Sequence, residues 1–243
     1  MTDLAQPRPA HLRRIERMRA AHSYWAVLGA IFVGFFLAAL LPDAAWASSV
    51  IALVYSATLL IVIWTAGWAM KERTLPFALA TSAAGAAVVN IFWQGKALTV
   101  ALGLCAGFLT IAIAVAIAMG AVAQNEVNSR SVAGAICVYL LFGMLFMWIF
   151  SILAALGKTP FFAQGTDGTR SIRLYFSFTT LATLGYGDYT PAHNLGRSLA
   201  VLEALIGQLY LVTVVAVVVT RLGRPGRAIL KQQKESEIDG PQA

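Results

Sequence analysis

Six long apolar runs decide what this chain can fold into. They read roughly Tyr24–Leu41, Trp46–Met70, Pro76–Trp93, Leu98–Val122, Val132–Leu156 and Ser198–Leu222. A helix needs about 20 apolar residues to cross the hydrocarbon core of a bilayer. Backbone in lipid must satisfy its own hydrogen bonds, so each such run is predicted to be a helix. Breakers and charges separate the runs: Pro42-Asp43, Lys71-Glu72-Arg73, Gly95-Lys96, Glu126 to Arg130, and a long loop. Trp25, Trp46, Trp68 and Trp93 stand near run ends, as interface anchors do. With 59% hydrophobic and 12% charged residues, against about 45–50% and about 25% in soluble domains, the chain reads as an integral membrane protein.

The net charge of +7 does not point to nucleic acid, because the basic residues sit at run ends where headgroups and topology account for them. Counted by side, 13 Lys and Arg fall on the face that carries both tails and 5 on the other. The positive-inside rule then puts both termini in the cytoplasm, in a cell (plasma) membrane. Met1 to Ala21 holds five arginines and no apolar core, which is not a cleavable leader. Its stretch Arg8 to Arg19 reads as a basic helix on anionic headgroups, or as a solvated tail. Cys105 and Cys137 lie inside apolar runs without metal spacing. Asn90 and Gln94 are expected to bond neighbouring helices.

The loop from Gly157 to Arg197 faces outside by this count. Its middle, Leu174 to Leu184, is too short to cross and too apolar for water. Such a segment suits a re-entrant piece, buried in protein or lining a watery cavity. It is predicted to enter as a short helix and return as an extended strand, Thr183 to Gly187. Rings of backbone carbonyls can replace a cation's hydration shell. For successive carbonyls to face one side, alternate residues need unusual dihedrals, and Gly185 and Gly187 stand at alternate positions. Tyr186 is expected to pack outward into Tyr175, Phe176 and Phe178. Asp188 places a carboxylate at the outer mouth.

The stretch Thr180-Leu181-Ala182-Thr183-Leu184-Gly185-Tyr186-Gly187-Asp188 resembles the potassium-channel signature Thr-x-x-Thr-x-Gly-Tyr-Gly-Asp. It is most similar to the two-helix pore module of prokaryotic potassium channels, over roughly Val132 to Leu222. The resemblance implies that the carbonyls of Thr183, Leu184, Gly185 and Tyr186, with the Thr183 hydroxyl, coordinate dehydrated potassium. Run five becomes the outer helix, Ser171–Leu181 the pore helix and run six the inner helix. Leu184 departs from the commoner Val, and Thr179 stands where some members carry a filter-supporting Glu. Thr179 and Thr180 join the aromatic residues as pore-helix support. Gly207 falls at the offset of an inner-helix hinge, although a close-packing role fits a membrane glycine equally well. Gln208 and Leu211 would line the cavity below the filter; Gln208 could instead bond a neighbouring helix. Glu203, an ionisable group inside a run, is costly and usually functional. It is read as an acid supporting the filter by bonding Thr179 or Thr180 in protonated form, or else as hydrated near the outer interface.

One filter strand gives one carbonyl per ring, so four chains must meet on an axis. The expected fold is an all-α membrane protein: six transmembrane helices, with a re-entrant pore helix and filter loop between helices five and six, in a tetrameric pore. It divides into a basic segment at 1–23, a four-helix domain at 24–123, a pore domain at 131–222 and a tail at 223–243. The partners are three identical subunits and the lipid bilayer; no cofactor is expected beyond the transported potassium. Voltage sensing needs about 3–4 gating charges per subunit, and Leu98 to Val122 holds no Lys or Arg, so weak or absent voltage dependence follows. With a tail this short, no nucleotide-binding or calcium-sensing regulatory domain is expected. A poorly selective cation channel and a non-conducting scaffold or regulatory subunit are the other readings. An enzyme is not expected: His11, His22 and His193 lie outside the runs, with no HExxH or GxSxG motif.

Overall fold

A computed structural model describes residues 10–65, 70–92, 96–122 and 129–222. The tail at 223–243, the first nine residues, Trp68, Trp93 and Gln94 lie outside the described residues, as do the side chains of the basic stretch up to Arg19 and of Asn90. Seven helices follow in order: α1 Ala10–Leu40, α2 Ala45–Thr65, α3 Met70–Phe92, α4 Lys96–Val122, α5 Ser129–Leu156, α6 Arg170–Leu181 and α7 Asn194–Leu222.

Four of them carry apolar windows long enough to cross a membrane: Trp46–Ile63 in α2, Val100–Ile117 in α4, Val132–Leu156 in α5 and Asn194–Val214 in α7. The apolar parts of α1 and α3 are shorter, Trp25–Leu40 and Pro76–Val89. Among the described residues, the expectation of six spanning runs is met at spanning length by four. The α3 helix also begins earlier than expected. Lys71, Glu72 and Arg73 fall inside it rather than in a gap, and Pro76 sits within the helix instead of opening it.

The α2 helix packs against α1, α3 and α4, and this bundle reaches α5 through α4 and α1. Among the described residues, α7 packs only on α5 and α6. The bundle's centre is Tyr55 of α2, almost wholly buried among Ile31, Ile51, Leu109 and Leu141, with its hydroxyl 3.3 Å from the Met144 sulfur of α5. Ser56, Thr58 and Thr110 are buried polar groups that satisfy themselves, each hydroxyl donating to the carbonyl four residues earlier at 2.7–2.8 Å. This back-bonding lets polar residues sit in an apolar bundle without unpaired donors.

Two close approaches position α6. The Phe178 ring lies over Gly143 of α5, where a Cβ would stand 2.6 Å from the ring. On its other side Phe178 meets Phe35 of α1 edge-on, at 5.1 Å between centroids. The short helix is thus wedged between α1, α5 and α7.

Candidate ion-conduction site

The α6 helix has 12 residues, marginal length for a helix in isolation, so its ends need anchors. At the N-terminus the Thr169 hydroxyl accepts from the Ile172 N–H at 3.2 Å. A second cap comes from the link between α1 and α2, where Asp43 Oδ2 accepts from the Arg170 N–H at 2.8 Å. Arg170 and Arg173 place positive charge at the positive end of the helix dipole, which is unfavourable alone. Asp43 offsets this, lying 3.5 Å from Arg170 and 3.9 Å from Arg173. The Arg170 guanidinium also donates to the Pro42 carbonyl at 2.8 Å and to Ser48 Oγ at 3.2 Å. Burial draws the Arg170 pKa below its ordinary value, and Asp43 pushes back. Arg173 reaches Ser151 of α5 at 2.8 Å and the Gly168 carbonyl at 2.6 Å.

The C-terminal end holds the next segment from behind. Ala182 N–H donates to the Phe178 carbonyl at 3.0 Å and Thr183 N–H to the Thr180 carbonyl at 2.9 Å. Leu184 and Gly185 N–H both reach the Thr179 carbonyl, at 2.8 and 3.2 Å. The returning segment is not a β-strand: Thr183, Gly185 and Gly187 take φ of +57°, +54° and +80°. A chain that alternates between left-handed and ordinary dihedrals cannot form a ladder, and this alternation is what a one-sided row of carbonyls requires. The two glycines adopt it without penalty. For Thr183 a left-handed φ costs about 1–2 kcal/mol, and no sequence rule flags it.

The Tyr186 ring stacks on Tyr175, with centroids 6.2 Å apart and planes 1° from parallel. Phe176 and Phe178 do not join it. Phe176 turns into a cluster with Phe150, Phe161 and Phe162, and Phe178 faces α1 and α5, because successive residues of a helix point to different sides. Thr179 keeps its hydroxyl on its own helix, bonding the Phe176 carbonyl at 3.0 Å. Asp188 is exposed at the outer end of the segment, its carboxylate accepting from the Tyr189 N–H at 3.1 Å. Behind it the loop closes on itself. Ala163 N–H donates to the Thr190 carbonyl and Ala192 N–H to the Phe161 carbonyl, both at 2.8 Å.

Glu203 is fully buried, which removes the reading of a carboxylate hydrated at the interface. Its partner is Ser177, not Thr179 or Thr180. Gly207 lies directly against the Leu181 carbonyl, where a Cβ would collide with backbone. That contact is close packing. Gln208 and Leu211 are exposed in the single chain, on the open side of α7. Sequence reasoning missed Asp43, Arg170 and Ser177. An arginine opening a short apolar helix is a signal that some acid must meet it, and Asp43 is an acid on the same side.

Residues 134–224 match the model of a family described as "Ion channel". Among curated proteins, the inward rectifier potassium channel Kirbac3.1 of Paramagnetospirillum magnetotacticum is 33% identical over 78 residues, covering 32% of this chain. The match spans about a quarter, 26%, of that relative's length. No solved structure matches. These findings support a prokaryotic potassium-channel family for this part of the chain.

Two substitutions test the anchors. Asp43→Ala leaves Arg170 buried without its counter-charge and removes a helix cap. Asp43 is 36% exposed, so solvent screens part of the loss and the expected cost is about 1–3 kcal/mol, read by thermal unfolding. Adding Arg170→Met should recover part of it. Gly207→Ala drives a methyl into the Leu181 carbonyl at the root of the filter segment. It is expected to loosen the packing of α7 on α6 and lower the thermal-unfolding midpoint; an unchanged midpoint would mean that the two helices part there freely.

Proposed function

We propose that this chain, whose residues 134–224 carry the ion-channel family's pore module, is one subunit of a homotetrameric potassium-selective channel. The observation that carries the reading is the alternation of left-handed dihedrals at Thr183, Gly185 and Gly187, directly behind a helix anchored at both ends. In this reading, carbonyls of Thr183, Leu184, Gly185 and Tyr186 and the Thr183 hydroxyl take the place of water around potassium, which is cargo. Leu184 supplies only its carbonyl, so the larger side chain than Val does not alter the ring. Asp188 concentrates cations at the mouth. Gly207 serves as a hinge only if α7 bends away from the Leu181 carbonyl.

The tetramer is supported by the bare face of α7. Only 11% of its apolar window is buried within the chain, and Leu202, Leu205, Leu209 and Val212 are 47–63% exposed. These positions share one side of the helix, and copies of the same helix around an axis would cover them. Gln208 and Leu211 then border the cavity. With both termini cytoplasmic, α6 enters from outside as a re-entrant helix, and α1 and α3 cross as the shorter spans of a six-span chain in the plasma membrane. Beyond Lys96 at its start, α4 has no basic residue. The apolar stretches Trp25–Leu40, Trp46–Ile63, Pro76–Val89 and Val100–Ile117 of α1–α4 hold no Lys or Arg, so displacing them in the field moves little charge.

Purified protein in liposomes is expected to pass potassium, to be blocked by barium and to exclude sodium. In planar bilayers its conductance should change little with voltage. Silence under tension and across pH, from folded tetramers, would instead indicate a non-conducting membrane subunit. A steep conductance–voltage curve would refute the charge argument.

A further inference from the structure

Ser177 sits where three helices meet, and all of it is buried. Its Oγ lies 2.7 Å from the Gly143 carbonyl of α5 and is hydrogen-bonded to Glu203 Oε1 of α7. A serine hydroxyl has one proton. A carbonyl can only accept, so that proton belongs to the Gly143 bond. The remaining contact, between Ser177 Oγ and Glu203 Oε1, then needs a proton from the carboxyl. The alternative is an ionised Glu203 that accepts from Ser177. It would leave a charge with 0% exposure, its Oε2 without a hydrogen bond, and no cation in ion-pair reach among the described residues. An uncompensated buried carboxylate is far costlier than a neutral carboxylic acid with one free oxygen.

The groups facing Glu203 do not change this count. From α6 it meets Ser177, and from α5 the titratable neighbour is Tyr139, whose hydroxyl is engaged 3.4 Å from the Leu181 carbonyl. Ser177 lies one turn before Leu181, and the Thr179 carbonyl between them holds the filter segment. A change at Ser177 is therefore a change at the filter's root.

We propose that Glu203 is a proton-donating positioning residue: its carboxyl O–H donates to Ser177, Ser177 donates to the Gly143 carbonyl, and this chain across α7, α6 and α5 holds the pore helix in its conducting position. Loss of the Glu203 proton reverses the polarity of the chain. Ser177 must then turn its proton to the carboxylate, the Gly143 link breaks, and a buried charge pushes α7 from α6. Alkaline pH thus closes the pore. The role in conduction rests on the channel reading above; the protonation state does not.

Two measurements separate these. Infrared difference spectra of wild type against Glu203→Gln should show the carbonyl-stretch band of a buried protonated carboxylic acid, lost in the variant and shifted in Ser177→Ala. Absence of that band at neutral pH would overturn the proposal whether or not the protein conducts. Potassium flux from wild-type liposomes should fall about tenfold as pH rises into the alkaline range, a change of about 1.4 kcal/mol in the balance of conducting and closed pores. Glu203→Gln, whose amide N–H replaces the carboxyl O–H, should conduct at neutral pH and lose that pH dependence. Ser177→Ala should reduce flux even at neutral pH. Identical pH profiles for wild type and Glu203→Gln, or a folded Glu203→Gln tetramer that is silent while wild type conducts, would overturn it.

Discussion

The Thr179 carbonyl accepts two N–H groups, from Leu184 and Gly185, and the rest of the arrangement depends on that junction. A segment that offers its carbonyls to an ion cannot use them for hydrogen bonds of its own. Its N–H groups must be held from behind, by something rigid. The last turn of α6 does this, so the filter segment is as fixed in space as α6 is. Strain at Thr183, a left-handed φ on a β-branched residue, persists because the surrounding bonds leave it no alternative.

What fixes α6 is borrowed from everywhere else. Its N-terminus is capped by Asp43, 127 positions away in sequence, which makes the turn between α1 and α2 part of the support of α6. Its middle is wedged by Phe178 between Gly143 and Phe35. Its outer side rests on the Phe150–Phe161–Phe162 cluster. The first four helices are not passive packing, since Asp43 and Phe35 both bear on α6. The link between α1 and α2 holds Arg170 through Asp43 and Pro42.

Much of this was legible in the sequence because the signals are local. Run length and run boundaries mark helices in lipid; the apolar stretch Leu174 to Leu184 reveals a short helix in the outer loop, and the family resemblance, Ser171–Leu181, comes within a residue of its start at Arg170. Gly185 and Gly187 announce left-handed dihedrals at alternate positions. Thr183 does not, since threonine disfavours the conformation it adopts. The segment from Thr183 to Gly187 lies where the sequence places it, but its alternating dihedrals keep it from being an extended strand. The partners of α6 were hidden because rotation of a short helix about its axis is set by tertiary packing. That rotation turns Phe176 and Phe178 away from Tyr186 and gives Glu203 to Ser177 instead of Thr179 or Thr180.

In the proposed function, the segment from Thr183 to Gly187 strips and selects potassium when four copies face one another. The most direct measurement is the reversal potential of single channels in a planar bilayer, with potassium on one side and sodium at equal concentration on the other. A reversal potential far toward the potassium equilibrium value, abolished by Gly185→Ala, is the predicted result. A reversal near zero from intact tetramers would mean that the alternating backbone does not form a potassium-selective ring.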